Sequence, residues 1–431
     1  MADVRGFRGL RYRLDATRDA STLLAPPYDV IEPDERARLA ARSPHNAVHV
    51  DLPEVSSGDR YATAGERYRQ WLRDGVLVRD AVPTLTVKQQ TFTGPDGTPV
   101  TRKGLIAAVR LEPFDRGIIL PHEHTLSGPK EDRLRLFQAC GATASQVFCV
   151  YDDPDHTVDQ LLARATVPEL VAQSDDGVAH AVWTVSDPAI LAEVHAFFAS
   201  RTLLIADGHH RYETMLHYRD LQRAARGAAT GPADFAPIYL ANMADPGTVV
   251  YPIHRLVRDL PGFSLPLLVD RLSEWFMLTP VAESGLRPVR VAMHHAGPGT
   301  LGVLLPTGRG FTLRLRDDVR ESALAALPST EPLRSTDVSV LHGLVLERVL
   351  GVGPAQLAAQ TNLDYAKQES LVEQKLASGA YQLALLLRPT DPRVVHAVAL
   401  TGARMPQKST YFFPKILTGV VTYDLEDSGV G

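Results

Sequence analysis

The stretch Leu203-Leu204-Ile205-Ala206-Asp207-Gly208-His209-His210-Arg211-Tyr212-Glu213 decides the fold of the region around it. Four apolar residues lead into Asp207-Gly208, and apolar positions return at Tyr212, Met215, Leu216 and Tyr218. That change of period predicts a short buried strand, a tight turn and an amphipathic helix. The first N–H groups of such a helix have no partner inside it, and their partial positive charge favours an anion. Gly208 lets the backbone approach a ligand, while His209, His210 and Arg211 add donors and positive charge. Cations in a first turn oppose the helix dipole, and a docked phosphate would remove that conflict. The plainer account makes Asp207 a helix cap and the histidines a polar surface. A charged residue in a first turn has little reason to be buried unless paired, so loss of Arg211 is expected to weaken phosphate binding and spare the fold.

Working toward the N-terminus, Pro188 to Ala199 reads as a helix and Ser145 to Tyr151 as a strand. Leu120-Pro121-His122-Glu123-His124-Thr125 precedes Gly128-Pro129-Lys130-Glu131-Asp132-Arg133, where a helix is expected to begin near Pro129. His122 and His124, two apart on an extended segment, would form half of a metal site, but no third ligand of matching spacing follows. Glu123 and Thr125 suit a substrate or Mg²⁺, and Lys130 and Arg133 suit phosphate; a solvated polar loop is the alternative. Thr84 to Phe92 and Thr101 to Leu111 read as strands joined through Gly94-Pro95-Asp96-Gly97, a hairpin signal. Arg60 to Asp74 places Tyr61, Ala64, Tyr68, Trp71 and Leu72 on one helical face. Pro26-Pro27 stiffens the chain before Tyr28 and Asp29, so those side chains are aimed, unless the segment is only a rigid connector.

Toward the C-terminus, Pro237 to Met243 and Thr248 to Ile253 read as a strand pair around Asp245-Pro246-Gly247. Near Leu260 the pattern restarts: a helix through Trp275-Phe276, strands near Arg290 to Met293 and Leu301 to Leu305, and a helix from Val338 to Leu350. Asp364 to Leu376 reads as a helix, Leu383 to Leu387 as a buried strand and Pro392 to Leu400 as a last helix. The tail Met405-Pro406-Gln407-Lys408-Ser409-Thr410, with Pro414-Lys415, is a stiffened loop rich in the donors a phosphate would use. An ordinary surface loop is the alternative there.

The chain has 431 residues, 45% of them hydrophobic and 22% charged, which suits a protein of two or three lobes with a sizeable core. The net charge is −5 and no basic block occurs, which argues against a nucleic-acid partner. No apolar run approaches the ~18 residues of a membrane span. Two cysteines without Cys-x-x-Cys spacing, and a start lacking a targeting pattern, fit a cytoplasmic location. No Walker or protein-kinase glycine-rich loop is present.

Asp207-Gly208-His209-His210-Arg211 resembles the signature of the ParB/sulfiredoxin-like superfamily as its free serine kinases carry it. From Arg8-Gly9-Leu10-Arg11-Tyr12 and Pro26-Pro27-Tyr28-Asp29-Val30, through the His122 and Lys130 motifs, to Met405–Thr410, the chain resembles a prokaryotic family catalogued as domain of unknown function 1015. The resemblance implies an α/β protein with a ParB/sulfiredoxin-like core in its N-terminal lobe, and phosphorylation of free L-serine by ATP or ADP with Mg²⁺. The expected lobes are residues 1–260, catalytic, and 261–431, whose Met405–Thr410 loop returns towards the site.

Phosphoryl transfer needs in-line alignment, charge neutralisation and a proton acceptor. Asp29, Asp207 and Glu123 are the expected catalytic carboxylates, with Asp207 and Glu123 as metal ligands. Gly208, His209, His210, Arg211, Lys130, Arg133, Lys408, Ser409 and Thr410 would hold the nucleotide. The small serine kinases carry a glutamate as the N-terminal base, where this chain has the shorter Asp29. A non-catalytic nucleotide-binding switch is the competing expectation, and the oligomeric state is left open.

Overall fold

A computed structural model describes the chain except residues 15–18, 95–96, 124, 126, 164–166, 228–229, 328, 330, 360, 407 and 431, and without the side chains of 127–129 and 358. His124, Gln407 and the Pro95-Asp96 turn therefore lie outside the described residues. The chain divides into two compact units. The first comprises Met1–Pro121, Thr125–Val249 and Pro414–Gly431; the second comprises His122–His124 and Val250–Phe413.

The first unit is built on a mixed nine-stranded sheet. Its strands are β1 (Val4–Arg5), β2 (Leu85–Thr93), β3 (Pro99–Arg110), β4 (Ile119–Leu120), β5 (Val147–Tyr151), β6 (Leu170–Gln173), β7 (Ala179–Val185), β8 (Leu203–Asp207) and β9 (Phe235–Asn242). They run in the order β4-β8-β5-β9-β3-β2-β7-β6, with β1 paired to β3. The β4·β8 and β5·β9 pairs are parallel, and the other pairs are antiparallel. The expected hairpin is β2–β3, with Gly94 N–H donating to the Thr98 carbonyl at 2.7 Å.

The helices used below are α1 (Val48–Asp51), α2 (Arg60–Arg73), α3 (Ser127–Cys140), α4 (Pro188–Phe198) and α5 (His209–Ala225). The Asp59 carboxylate caps α2 by accepting from Tyr61 N–H at 2.8 Å. Tyr61, Ala64, Tyr68 and Trp71 are its buried face. Helices α2 and α3 approach closely only because position 65 is glycine. A Cβ there would stand 2.2 Å from the Ala139 carbonyl oxygen.

The second unit has a six-stranded antiparallel sheet of β10 (His254–Val257), β11 (Phe276–Val281), β12 (Thr300–Leu304), β13 (Gly310–Leu315), β14 (Leu363–Ala366) and β15 (Leu383–Leu386). The order is β11-β13-β12-β15-β10-β14. One face packs Leu301, Val303, Leu313, Leu383 and Leu385 into an apolar cluster. The other packs Leu256, Leu304, Ala384 and Leu386 against Leu286, Val289 and Met293.

Several expected elements come out differently. Residues 290–293 are helical, inside Leu286–Ala296, because Leu286, Val289 and Met293 are buried at helical spacing. Helix Leu265–Ser273 ends before Trp275, and Phe276 opens β11. The 364–376 segment splits into β14 and helix Glu369–Ala377. Leu341–Val349 winds as a wider π-helix after Asp337–Val340. Strand β9 takes β3 and β5 as neighbours, so the expected partnership with 248–253 does not form. Among the described residues no helix is long and apolar enough to cross a membrane.

Candidate functional site

Strand β8 enters the turn with Leu203 to Ala206 buried. Its register against β5 shifts between Ile205 and Asp207, a bulge that re-aims the last side chain. Gly208 caps α5 with φ of +88°, a left-handed conformation that glycine adopts without strain. A Cβ at Gly208 would also stand 3.0 Å from Arg211 Nε. The guanidinium therefore lies against the turn rather than in solvent.

Arg211 is only 3% exposed and is paired inside the protein. It donates to Asp207 Oδ2 at 2.8 Å and to the Gln146 carbonyl. Asp207 Oδ1 accepts from Lys415 Nζ. Both oxygens of Asp207 are thus committed to cations. Burial pushes the Asp207 carboxyl up, but Lys415, Arg211 and His209 outweigh it and hold the group below the usual carboxylate range. The expectation that Arg211 could be removed without cost to the fold is corrected by its burial and its two partners.

Around Arg211 stand Tyr28, Asp29 and Asp51, each of which acts on it electrostatically. Asp29, on a short 3-10 turn, is exposed. Burial raises the Tyr28 hydroxyl to about 12, against the pull of Arg211 and Arg133. The Arg133 guanidinium lies 4.0 Å from the centre of the Tyr28 ring. It is also buried and donates to the Asp51 carbonyl and to Asp132 Oδ2, each at 2.6 Å. Asp51 closes α1, accepts from Ser145 Oγ at 3.1 Å, and is raised by burial against the opposing pull of Arg133.

Lys130, on α3 with Arg133, donates to Glu213 Oε2 at 2.7 Å and to Thr125 Oγ1 at 3.1 Å. Thr125 Oγ1 donates to the same Glu213 oxygen at 2.8 Å. Glu213 is one turn beyond His209 on α5. His209 is buried and His210 half-buried, its carbonyl accepting from Thr214 Oγ1.

The remaining expected residues belong to the second unit. Glu123 Oε1 lies 3.4 Å from Thr410 Oγ1 and 3.3 Å from His122 Nε2, and that nitrogen lies 2.8 Å from Thr410 Oγ1. Ser409 is buried and donates to the Pro406 carbonyl. Lys408 has φ of +58°, and its carbonyl accepts from Arg255 at 3.0 Å. Arg255, fully buried and lowered to about 10 by burial, also meets His342 Nε2 at 3.1 Å.

Asp29, Lys130, Arg133 and Asp207 to Arg211 thus share the first unit, while Glu123 and Lys408 to Thr410 share the second. Sequence reasoning did not commit to Glu213, Asp51 or Lys415 as site residues. Glu213 carried a signal, four residues after His209 on the same helix; Asp51, in a four-residue helix, carried none. Among the described residues no group of three or more His, Cys, Asp or Glu side chains could hold a metal ion. Asp207, expected as a metal ligand, has its two oxygens committed to Lys415 and Arg211.

The model of a family described as "protein of unknown function (DUF1015)" matches residues 4–339, and the chain belongs to that family. No curated protein matches it. Among solved structures it is similar to a free serine kinase in complex with AMP, at 13% identity and a TM-score of 0.35, over 73% of this chain and 92% of that one. A conserved hypothetical protein from Pyrococcus furiosus is similar at 13% identity and 0.33, over 73% and 95%. SbnI with a C-terminal truncation, from Staphylococcus aureus, is similar at 10% and 0.34, over 75% and 87%.

Proposed function

We propose that this protein is a nucleotide-dependent small-molecule kinase that phosphorylates the hydroxyl of free L-serine to O-phospho-L-serine, using ATP or ADP. The observation that carries this is the turn at Asp207-Gly208, where the N-terminus of a 17-residue helix coincides with Lys415, Arg211 and His209. Such a site offers backbone N–H groups and fixed positive charge to a terminal phosphate. Asp29, exposed within the field of Arg211, is the carboxylate in this unit available to take the hydroxyl proton. Asp207 then acts by holding Lys415 and Arg211 in place. Glu213 does the same for Lys130. Mg²⁺ would arrive with the nucleotide.

With this activity go a ParB/sulfiredoxin-like core, a catalytic lobe over residues 1–260 with a second lobe over 261–431, and a cytoplasmic location. Lys408, Ser409, Thr410 and Glu123 would contribute to the nucleotide or the acceptor. A second reading, a nucleotide-binding switch without turnover, is favoured by the internal pairing of Asp207. Incubation of the pure protein with ATP or ADP and L-serine, with and without Mg²⁺, separates the two. O-phosphoserine seen by mass spectrometry supports the kinase; stoichiometric nucleotide binding without product supports the switch.

A further inference from the structure

One face of the nine-stranded sheet carries a row of polar side chains that is buried. Strand β2 places Thr86, Lys88 and Gln90 on that face, all of them 0% exposed. Register extends the row sideways: Arg102 on β3 is opposite Gln90, and Gln90 is opposite His180 on β7. Lys88, two residues along, is opposite Gly104 and Val182. Gly104 leaves space that the Tyr239 ring takes, its hydroxyl 2.7 Å from where a Cβ would stand. Arg102 donates to Gln90 Oε1 at 2.6 Å and to the Pro414 carbonyl, with its guanidinium 4.7 Å from the centre of the Phe148 ring. Gln90 Nε2 donates to the Lys415 carbonyl at 3.1 Å.

Among the described residues, Lys88 Nζ and His180 Nδ1 are buried atoms of this set without a hydrogen-bond partner. His180 Nε2 is 3.0 Å from Ser174 Oγ, which donates to Asp176. The charged and titratable groups acting on Lys88 are Arg102, which repels its proton, and Asp176, which attracts it. A buried ammonium beside a buried guanidinium, bonded to nothing, is an arrangement that costs several kcal/mol unless a counter-charge is supplied.

We propose that this face holds one compact, singly charged anion, with Lys88 Nζ as its principal ligand. The complete burial of Lys88, Gln90 and Arg102 restricts the occupant to a small group. A halide ion and the carboxylate of a small metabolite share that chemistry. Burial, with repulsion from Arg102, lowers Lys88 to about 7, and an anion beside it would keep the ammonium charged. This site does not depend on the nucleotide reading, since none of its ligands belongs to the Asp207 turn.

The test uses the full chain in halide-free gluconate buffer, with thermal unfolding followed against added bromide, acetate and L-serine. Expected is a saturable rise in Tm of a few degrees that disappears in Lys88→Met and survives in Lys103→Met, on the opposite face of the same sheet. Response to acetate or serine alone assigns a carboxylate, and response to bromide alone assigns an inorganic ion. No saturable response, or an equal response in Lys88→Met, overturns the proposal. Should Lys88→Met not fold, a bromide-soaked crystal of the unaltered protein decides: an anomalous peak within hydrogen-bond reach of Lys88 Nζ is expected, and its absence overturns the site.

Discussion

The two sheets solve the same packing problem with different shares of buried polar groups. In the second unit both faces of the six-stranded sheet pack apolar clusters, with Leu383 and Leu385 turned to one and Ala384 and Leu386 to the other, and the buried charged or titratable side chains, Arg255 and His254, lie together on β10. In the first unit one face of the large sheet carries Lys88, Gln90, Arg102 and His180, all buried. Polar groups in that position lower stability unless a network or a ligand satisfies them. On the proposals above, the first unit gives up packing energy for binding at these groups.

The largest test of that division is catalytic. Asp29→Asn, in the first unit, is expected to lower turnover by about 10²–10⁴-fold while nucleotide affinity holds, the usual loss when a general base goes. Single-turnover rates with calorimetric binding would show it. If Glu123→Gln is the dead variant that still binds nucleotide, the chemistry involves the second unit and the contrast fails.

Arg211→Met should cost about 3–5 kcal/mol of stability, because it removes one cation from a buried carboxylate and leaves the Gln146 carbonyl without its donor. Denaturant unfolding measures this directly. A loss below about 1 kcal/mol would return Arg211 to the role of a dispensable surface cation.

Lys88 should behave in the opposite sense in anion-free buffer. Its value in the folded protein is below that of the unfolded chain, so the unfolded state binds the proton more tightly. The destabilisation is full below about pH 7 and fades as pH rises toward the ordinary lysine value. Lys88→Met is therefore expected to be more stable than the parent at pH 6–7, by up to about 4 kcal/mol, with the two curves converging near pH 10. Parallel curves would show that Lys88 is charged and compensated in the protein itself.

Leu385→Ala in the apolar sheet should cost about 2–4 kcal/mol with no pH dependence. Met277→Thr, on exposed edge strand β11, should change stability by less than about 0.5 kcal/mol.

How much of this was legible depended on how local the cause was. The strand, turn and helix around Asp207 were readable because the apolar period changes within a few residues, and Asp207–Arg211 is an i,i+4 pair. Residues 290–293 were misread because Val289, Val291 and Met293 alternate like a strand; only burial of Leu286, Val289 and Met293, with Val291 exposed, reveals the helix. Lys88 falls within the strand read over Thr84 to Phe92, and nothing local to it distinguishes a buried lysine there from an exposed one. Family membership was readable from motifs spread along the chain. Lys415 drew notice as a donor, but its partner, 208 residues earlier, could not be inferred from spacing.

That separation has a consequence for biosynthesis. The ribosome releases Asp207, Arg211 and the polar face of β2 long before it makes Pro414 and Lys415. At about 5–20 residues per second the interval is roughly 10–40 s. During it the nascent first unit holds a buried carboxylate with one of its two cations, and an uncovered row of polar side chains where a roof will later lie. The later-made Pro414–Lys415 segment acts as a keystone, and chains truncated before Pro414 should be retained by chaperones or degraded.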